Sequence, residues 1–125
     1  MGFRYLSNRR CNKEFEPLSP SSPLIFTIGP ATGTIFPTAN RYGVFFKSPL
    51  TNIYGESYSG GSFAPELRKA GFETVIIEGK ADRPIYLYLH DETVEFVTAE
   101  NIWGLDTYQT EDAIKSLNPF LHQVL

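Results

Sequence analysis

Residues 24–34 read Leu-Ile-Phe-Thr-Ile-Gly-Pro-Ala-Thr-Gly-Thr and combine the two signals from which the fold is predicted. Leu24–Ile28 is a run of β-branched and aromatic residues bounded by proline and glycine, which is typical of a buried strand. The small residues of Gly29–Thr34 follow, and glycine allows a ligand to approach the backbone closely. This stretch therefore predicts a buried strand that ends in a small-residue loop.

Further strands are predicted on both sides of one helix. The helix covers Ser62–Ala70, because Ser62 is a favourable N-cap, a proline lies in the first turn and Gly71 follows as a C-terminal stop. The remaining strand segments, chosen by the same criteria, are Arg41–Lys47, Ile53–Tyr58, Glu73–Glu78, Ile85–Leu89 and Thr93–Val97.

The C-terminal half is predicted to contain a hairpin and a second helix. His90-Asp-Glu92 is the turn between the last two strands, and Glu95 alternates with apolar residues, so one face of the second strand is expected to contact water. The second helix begins at Leu105 or Asp106 and runs to about Leu117, where Asn118-Pro119 ends it. The resulting class is α+β, with mainly antiparallel β-sheets and two short helices.

Length and composition limit the class of protein. The 125 residues suffice for one compact domain, and 42% hydrophobic residues argue against intrinsic disorder. A formal net charge of −3 argues against nucleic acid as a partner. No apolar run approaches the length of a membrane span, and the N-terminus lacks the apolar part of a secretory signal, so we expect no membrane partner and a cytoplasmic location.

Residues 1–16 are interpreted as a poorly structured lead-in and residues 17–125 as the domain. Prolines at 17, 20 and 23 within a serine-rich run indicate that the lead-in continues as extended chain. Cys11, the single cysteine, excludes an internal disulfide and a cysteine-ligated cluster held by this chain alone. It lacks a fixed base nearby, which a nucleophile would need.

Side chains that commonly carry catalysis are sparse. The two histidines, His90 and His122, fall in a predicted turn and in the C-terminal tail. The first of them lies beside Asp91, Glu92 and Glu95, and solvated turn residues are the favoured interpretation over a metal or acid–base site.

Two small-residue loops bracket an arginine, and this is the arrangement that favours a binding site. Gly29–Thr34 precedes Arg41, and Ser57-Tyr-Ser-Gly-Gly61 opens the first helix. The guanidinium of Arg41 offers a planar fork of donors suited to phosphate, and unpaired N–H groups favour an anion. Two interpretations stay open: an anion site, or a tight turn beside a surface charge.

Together these loops resemble those of a known family. The matching fragments occur in family order: Pro17-Leu-Ser-Pro20, Pro23-Leu-Ile25, Gly29–Thr34, Arg41-Tyr42, Lys47-Ser-Pro-Leu-Thr51, Ser59-Gly-Gly61, Glu66-Leu67, Ala70-Gly71, Ile77-Glu-Gly-Lys-Ala81 and Ile102-Trp-Gly104. The set is similar to the N-terminal domain of the aldehyde ferredoxin oxidoreductases, which are tungsten enzymes. The resemblance covers roughly Pro17 to Leu117.

The resemblance implies a specific chemistry. In that family the domain is a β-rich saddle for a bis-pterin tungsten (tungstopterin, or molybdopterin-type) cofactor, and the enzyme oxidises an aldehyde to a carboxylic acid with ferredoxin as electron acceptor. By this resemblance the cofactor-binding residues are Arg41, Tyr58, Ser59, Gly60 and Gly61. The backbone carbonyl of Tyr58 matches the position that helps to hold a magnesium ion between the pterin phosphates. No catalytic residue is assigned.

Partners follow from what the family has and this sequence lacks. The cysteines of the family's [4Fe–4S] cluster are not present, so we expect the isolated chain to oxidise no aldehyde and to require a second chain that carries the cluster-binding domains. The alternative is a non-catalytic remnant domain without cofactor. Its uncovered apolar sheet face would then favour a homo-oligomer.

Overall fold

The computed structural model describes residues 15–117, which form two antiparallel sheets and two helices. The confirmed class is α+β with mainly antiparallel pairing. Its elements, in chain order, are β1 (Leu24–Ile28), β2 (Tyr42–Lys47), β3 (Tyr54–Ser59), α1 (Phe63–Lys69), β4 (Thr74–Ile77), β5 (Ile85–His90), β6 (Thr93–Thr98) and α2 (Thr107–Leu117).

The larger sheet brings several loops to one end. Its strand order is β3-β2-β1-β4, with β1 antiparallel to both of its neighbours. Ile28, the last residue of β1, lies opposite Tyr42, the first residue of β2, and Tyr42 in turn lies opposite Ser59 at the end of β3. The loops that follow β1 and β3 and the segment that leads into β2 therefore meet at the same end of the sheet.

Both faces of this sheet are buried in their central part. Ile25 and Phe45 form one cluster, with Tyr54 packed against it. Ile28 lies three residues beyond Ile25, so it points to the opposite face, where it packs against two residues of α1, Ala64 and Leu67. Burying each large apolar side chain contributes about 1.5–3 kcal/mol, so these two clusters account for much of the stability of the sheet.

The second sheet is a hairpin that is far less covered. β5 pairs with β6, and the turn residues Asp91 and Glu92 have φ values of 45° and 61°, which suit a tight hairpin turn. The prediction of one wet face for β6 was wrong, because all its residues except Val97 are exposed, including Phe96 at 71%. The hairpin contacts the rest at its tip: the Glu92 N–H donates to the Ala70 carbonyl at 2.8 Å, and Leu89 packs against the α1 cluster.

The structure differs from three local predictions. Residues 17–22 are not extended but form turns, with Ser22 N–H donating to the Ser19 carbonyl, and Pro23 is buried. Ser62 occupies the N-cap position of α1 with helical dihedral angles and makes no side-chain capping hydrogen bond. His90 is the last residue of β5 rather than a turn residue.

Some predictions fall outside the described residues. These are most of the lead-in, Cys11, the Asn118-Pro119 helix stop and His122. Where the chain is described, neither helix is long and apolar enough to cross a membrane.

Candidate functional site

Arg41 and Gly60 lie side by side at the loop end of the larger sheet. Tyr42 pairs with Ser59, so Arg41, one residue before, and Gly60, one residue after, face each other where the ladder ends. A Cβ placed on Gly60 would be 3.8 Å from the carbonyl oxygen of Asn40, which confirms the close approach of the two segments. The structure thus brings together the arginine and the glycines that the sequence singled out.

The groups at this position are open to a ligand. The Arg41 side chain is exposed and has no hydrogen bond or ion pair with any residue of 15–117. Gly61 has φ +100°, and a Cβ there would meet no atom within 4 Å. An unpaired guanidinium next to exposed backbone is a suitable arrangement for a phosphate or for a planar anion.

The loop after β1 is fastened to the same corner. The Gly33 N–H donates to Asn40 Oδ1 at 3.1 Å, and Thr32 Oγ1 donates to the Ala39 carbonyl at 3.0 Å. Thr32 is 1% exposed, so its hydroxyl closes the base of the loop inside the protein. These two bonds fix the backbone that leads directly into Arg41.

Arg68 of α1 organises this corner, and sequence reasoning missed it. Its Nη2 donates to the carbonyls of Gly29 at 3.2 Å and Pro30 at 3.1 Å, and its Nη1 bonds Glu73 at 2.7 Å. The Nε atom is buried without a partner among the described residues. In sequence Arg68 is an ordinary basic residue in the last turn of a helix, and only the position of its distant partners shows its role.

The backbone of Tyr58 faces outward from the sheet. In an antiparallel ladder, hydrogen-bonded pairs alternate with non-bonded pairs. The Ser48 N–H donates to the Ile53 carbonyl, so the alternation makes Tyr42–Ser59 a bonded pair and Gly43–Tyr58 a non-bonded pair. The carbonyl of Tyr58 therefore points away from β2, toward the free edge of β3.

The side chain of Tyr58 lies along the sheet instead of over the glycines. Its ring meets Phe45 edge-on at 5.9 Å, and its hydroxyl donates to Glu56 Oε2 at 3.2 Å. Tyr54 donates to the same carboxylate oxygen. Desolvation and the adjacent Glu56 carboxylate raise the pKa of both tyrosines, so both phenols are neutral donors near pH 7.

The hairpin turn holds the other cluster of titratable groups. His90 Nε2 lies 2.9 Å from Glu95 Oε1, and His90 Nδ1 lies 3.7 Å from Asp91 Oδ2. The hydrogen bond to Glu95 raises the pKa of His90, which is thus paired within the hairpin. Within residues 15–117 no three His, Cys, Asp or Glu side chains are grouped as metal ligands.

Comparison with known proteins gives consistent matches. The family model described as "Aldehyde ferredoxin oxidoreductase, N-terminal domain" matches residues 1–122. The tungsten-containing aldehyde ferredoxin oxidoreductases of Pyrococcus abyssi and Pyrococcus horikoshii are 48% and 44% identical to the chain over 111 residues, which are 89% of this chain and 18% of each relative.

A solved structure shows the same arrangement of elements. A chain of the active-site complex BamBC of benzoyl coenzyme A reductase, solved with 1,5-dienoyl-CoA, superposes with a TM-score of 0.80 at 38% identity. The match covers 83% of this chain and 16% of that one. The chain thus spans less than a fifth of the length of the proteins to which it is similar.

Proposed function

Because the chain belongs to the aldehyde ferredoxin oxidoreductase family, we propose that it forms part of the binding site for a tungsten–pterin cofactor. The whole enzyme would oxidise aldehydes to carboxylic acids and pass the electrons to ferredoxin. Since the chain corresponds to 18% of its relatives' length, further domains would complete that activity, in the same polypeptide or in a partner. Those domains would also ligate the [4Fe–4S] cluster.

One observation supports this proposal most strongly: Arg41, whose side chain has no partner among residues 15–117, lies opposite Gly60 where the ladder ends. The sequence predicts that these groups share one ligand, and the Tyr42–Ser59 pair makes this possible. The open space at Gly61 admits a bulky group against the backbone. The residues present therefore fit a phosphate-bearing pterin.

Each residue has a proposed part in holding the cofactor. Arg41 would donate hydrogen bonds to the pterin or its phosphate, and Gly60 and Gly61 would contact it through backbone N–H groups, with the Ser59 hydroxyl beside them. The outward carbonyl of Tyr58 would be a ligand of a magnesium ion bound with the cofactor, since Mg²⁺ prefers oxygen donors. When bound, the tungsten centre would accept the two electrons that an aldehyde loses on oxidation, while water would supply the second oxygen of the acid and two protons would be released.

The neighbouring residues keep this corner in place. Glu56 holds the Tyr58 ring against the sheet, which leaves the side of Gly60 and Gly61 unobstructed. Arg68 and Asn40 fix the loop after β1 beside Arg41. No described residue is assigned a direct role in the chemistry of the aldehyde.

Metal analysis of the protein produced anaerobically with tungstate tests the proposal. The chain, or the longer protein that contains it, is purified with its associated polypeptides, and tungsten and pterin are measured per chain. We expect Arg41→Ala to lower the retained tungsten and pterin about tenfold or more, because a charge-assisted bidentate contact is lost. Arg83→Ala, which removes another exposed arginine, is the matched control.

The outcomes separate the two functional hypotheses. Tungsten and pterin in the wild type, with a loss specific to Arg41→Ala, support the cofactor site. Equal retention by both variants would remove Arg41 from the site. Absence of tungsten and pterin from the wild-type assembly would favour the remnant domain without cofactor.

A further inference from the structure

The segment between β6 and α2, together with the first turn of α2, exposes three large side chains within six residues. Trp103 is 72% exposed, Leu105 42% and Tyr108 80%. We name these three residues the Trp103 surface. Tryptophan and tyrosine contribute disproportionately to binding energy at protein interfaces, so their concentration in one short segment is informative.

The backbone under this surface is held in a fixed shape. The Ala99 carbonyl accepts hydrogen bonds from the N–H groups of Ile102 and Trp103, at 3.1 and 2.9 Å. Ala99 is itself 5% exposed, and Gly104 turns the chain with φ +88°.

A capping box then starts α2 directly after the turn. The Gln109 N–H donates to Asp106 Oδ1 at 2.8 Å, and the Asp106 N–H donates to Gln109 Oε1 at 3.4 Å. Since backbone order at the surface is already established before binding, little conformational entropy would be lost when a partner covers it. The exposed aromatic residues are thus preorganised.

We infer that the Trp103 surface is where the remaining domains of the enzyme dock on this one. The inference rests on the proposed function, because it takes this chain to be one part of a larger oxidoreductase. Its relatives continue over more than four times the matched length, so a partner of sufficient size accompanies this domain in each of them. The occupant is that remainder of a family enzyme, whether it is in the same polypeptide or another.

The charges around the surface define the chemistry of the complementary face. Glu100, Asp106, Glu111 and Asp112 surround the aromatic residues in sequence, and Lys115 is the one basic residue of α2. Lys115 is already paired with Glu111. The docking face of the other domains should therefore offer an apolar pocket for the indole with lysines or arginines at its rim.

A fluorine-labelled tryptophan provides a direct test. Trp103 is the single tryptophan of the chain, so labelling with 5-fluorotryptophan gives one ¹⁹F resonance. The full labelled chain is mixed with the Pyrococcus abyssi relative from which only the matching segment has been removed, checked for folding by circular dichroism. We expect the resonance to shift and to lose its sensitivity to replacement of H₂O by D₂O.

Substitutions then locate the contact. Tyr108→Ser should weaken the affinity about thirtyfold, the effect of removing an interface hot spot. Trp103→Ser, followed through a ¹⁹F label on the tyrosines, should do the same. Leu50→Ser is the matched control, because Leu50 is 92% exposed in the turn between β2 and β3.

Each other result contradicts the inference. An unchanged resonance, or equal affinity for Tyr108→Ser and wild type, excludes the Trp103 surface as the contact. A resonance that shifts with the concentration of the chain alone identifies a second copy as the occupant. All mixtures are made without tungsten, and Arg41→Ala should bind the truncated relative as the wild type does. The docking result therefore stands even if Arg41 proves not to bind the cofactor.

Discussion

Two regions of the molecule differ in how far their apolar residues are buried: the four-stranded sheet with α1, and the β5–β6 hairpin with α2. In the sheet, Ile25 is fully buried and Leu67 of α1 is 3% exposed. In the second region Phe96 and Trp103 are each more than 70% exposed, and among its residues only Ala99 and Ile114 are buried. The first region is stabilised by its own core, whereas the second presents apolar surface to its surroundings.

This difference separates two tasks within one short chain. The self-contained sheet is the part that carries Arg41, Gly60 and the loop fixed by Arg68, so the candidate ligand site lies on the better buried region. The hairpin and α2 place aromatic residues outward, as is typical of a surface for another domain. We therefore expect substitutions in the two regions to affect different properties.

The largest effect should come from the sheet core. Ile25→Ala removes a fully buried side chain from the central strand pair and should lower the free energy of unfolding by about 3–4 kcal/mol. Phe96→Ala, in the exposed β6, should change it by about 0.5 kcal/mol or less. Urea unfolding of both variants, followed by circular dichroism, measures the difference.

Similar losses of unfolding free energy from both substitutions would contradict the difference between the two regions. They would show that Phe96 has a packed environment in solution, and that the hairpin has a core of its own. A loss for Ile25→Ala alone would support the difference.

An intermediate effect is expected where a charged side chain binds backbone carbonyls. Arg68→Ala deletes hydrogen bonds to Gly29, Pro30 and Glu73 and should cost about 2 kcal/mol, since bonds to charged groups contribute about 1.5–3 kcal/mol. Lys115→Ala breaks an exposed pair with Glu111 in α2 and should cost about 0.5 kcal/mol or less.

Amide hydrogen exchange shows whether the loss is local. In Arg68→Ala the Gly33 amide, which is bonded to Asn40, should exchange faster than it does in the wild type, whereas the amides of β1 should keep their wild-type rates. Arg68→Lys should restore the protection of the Gly33 amide only in part, because an ammonium lacks the planar fork that reaches two carbonyls. Uniformly faster exchange would instead assign Arg68 to global stability.

Local signals made much of the fold predictable from sequence. The bounds of β1 follow from Pro23 and Gly29, and Gly71, with φ +91°, ends α1 as predicted. The exposure of β6 was not predictable, because the alternation around Glu95 indicates which residues share a face and not whether anything covers that face.

The candidate site was predictable only in part, for a related reason. The glycines and Arg41 were identified by residue type, but their proximity depends on the register Tyr42–Ser59, which joins residues 17 positions apart. Arg68 contacts carbonyls 38 and 39 positions away, and no local pattern distinguishes it from a solvated helix charge. Long-range pairing therefore determines the site, and local sequence determines only its components.

The smallest expected effect on the free energy of unfolding comes from a charged pair in the hairpin. The sign of its pH dependence follows from the pKa of His90. The hydrogen bond to Glu95 raises that pKa above the ordinary 6.5, so protonated His90 stabilises the folded state. This contribution is complete below pH 6.5 and is lost as the pH rises through the elevated folded-state pKa. Glu95→Gln should lower the pKa toward 6.5 and reduce this slope, although Asp91 still raises the pKa, whereas Glu111→Gln in α2 should leave both unchanged. NMR titration, with His122→Gln to assign the two histidine signals, measures the pKa, and an unshifted His90 would show that the hairpin pair does not form in solution.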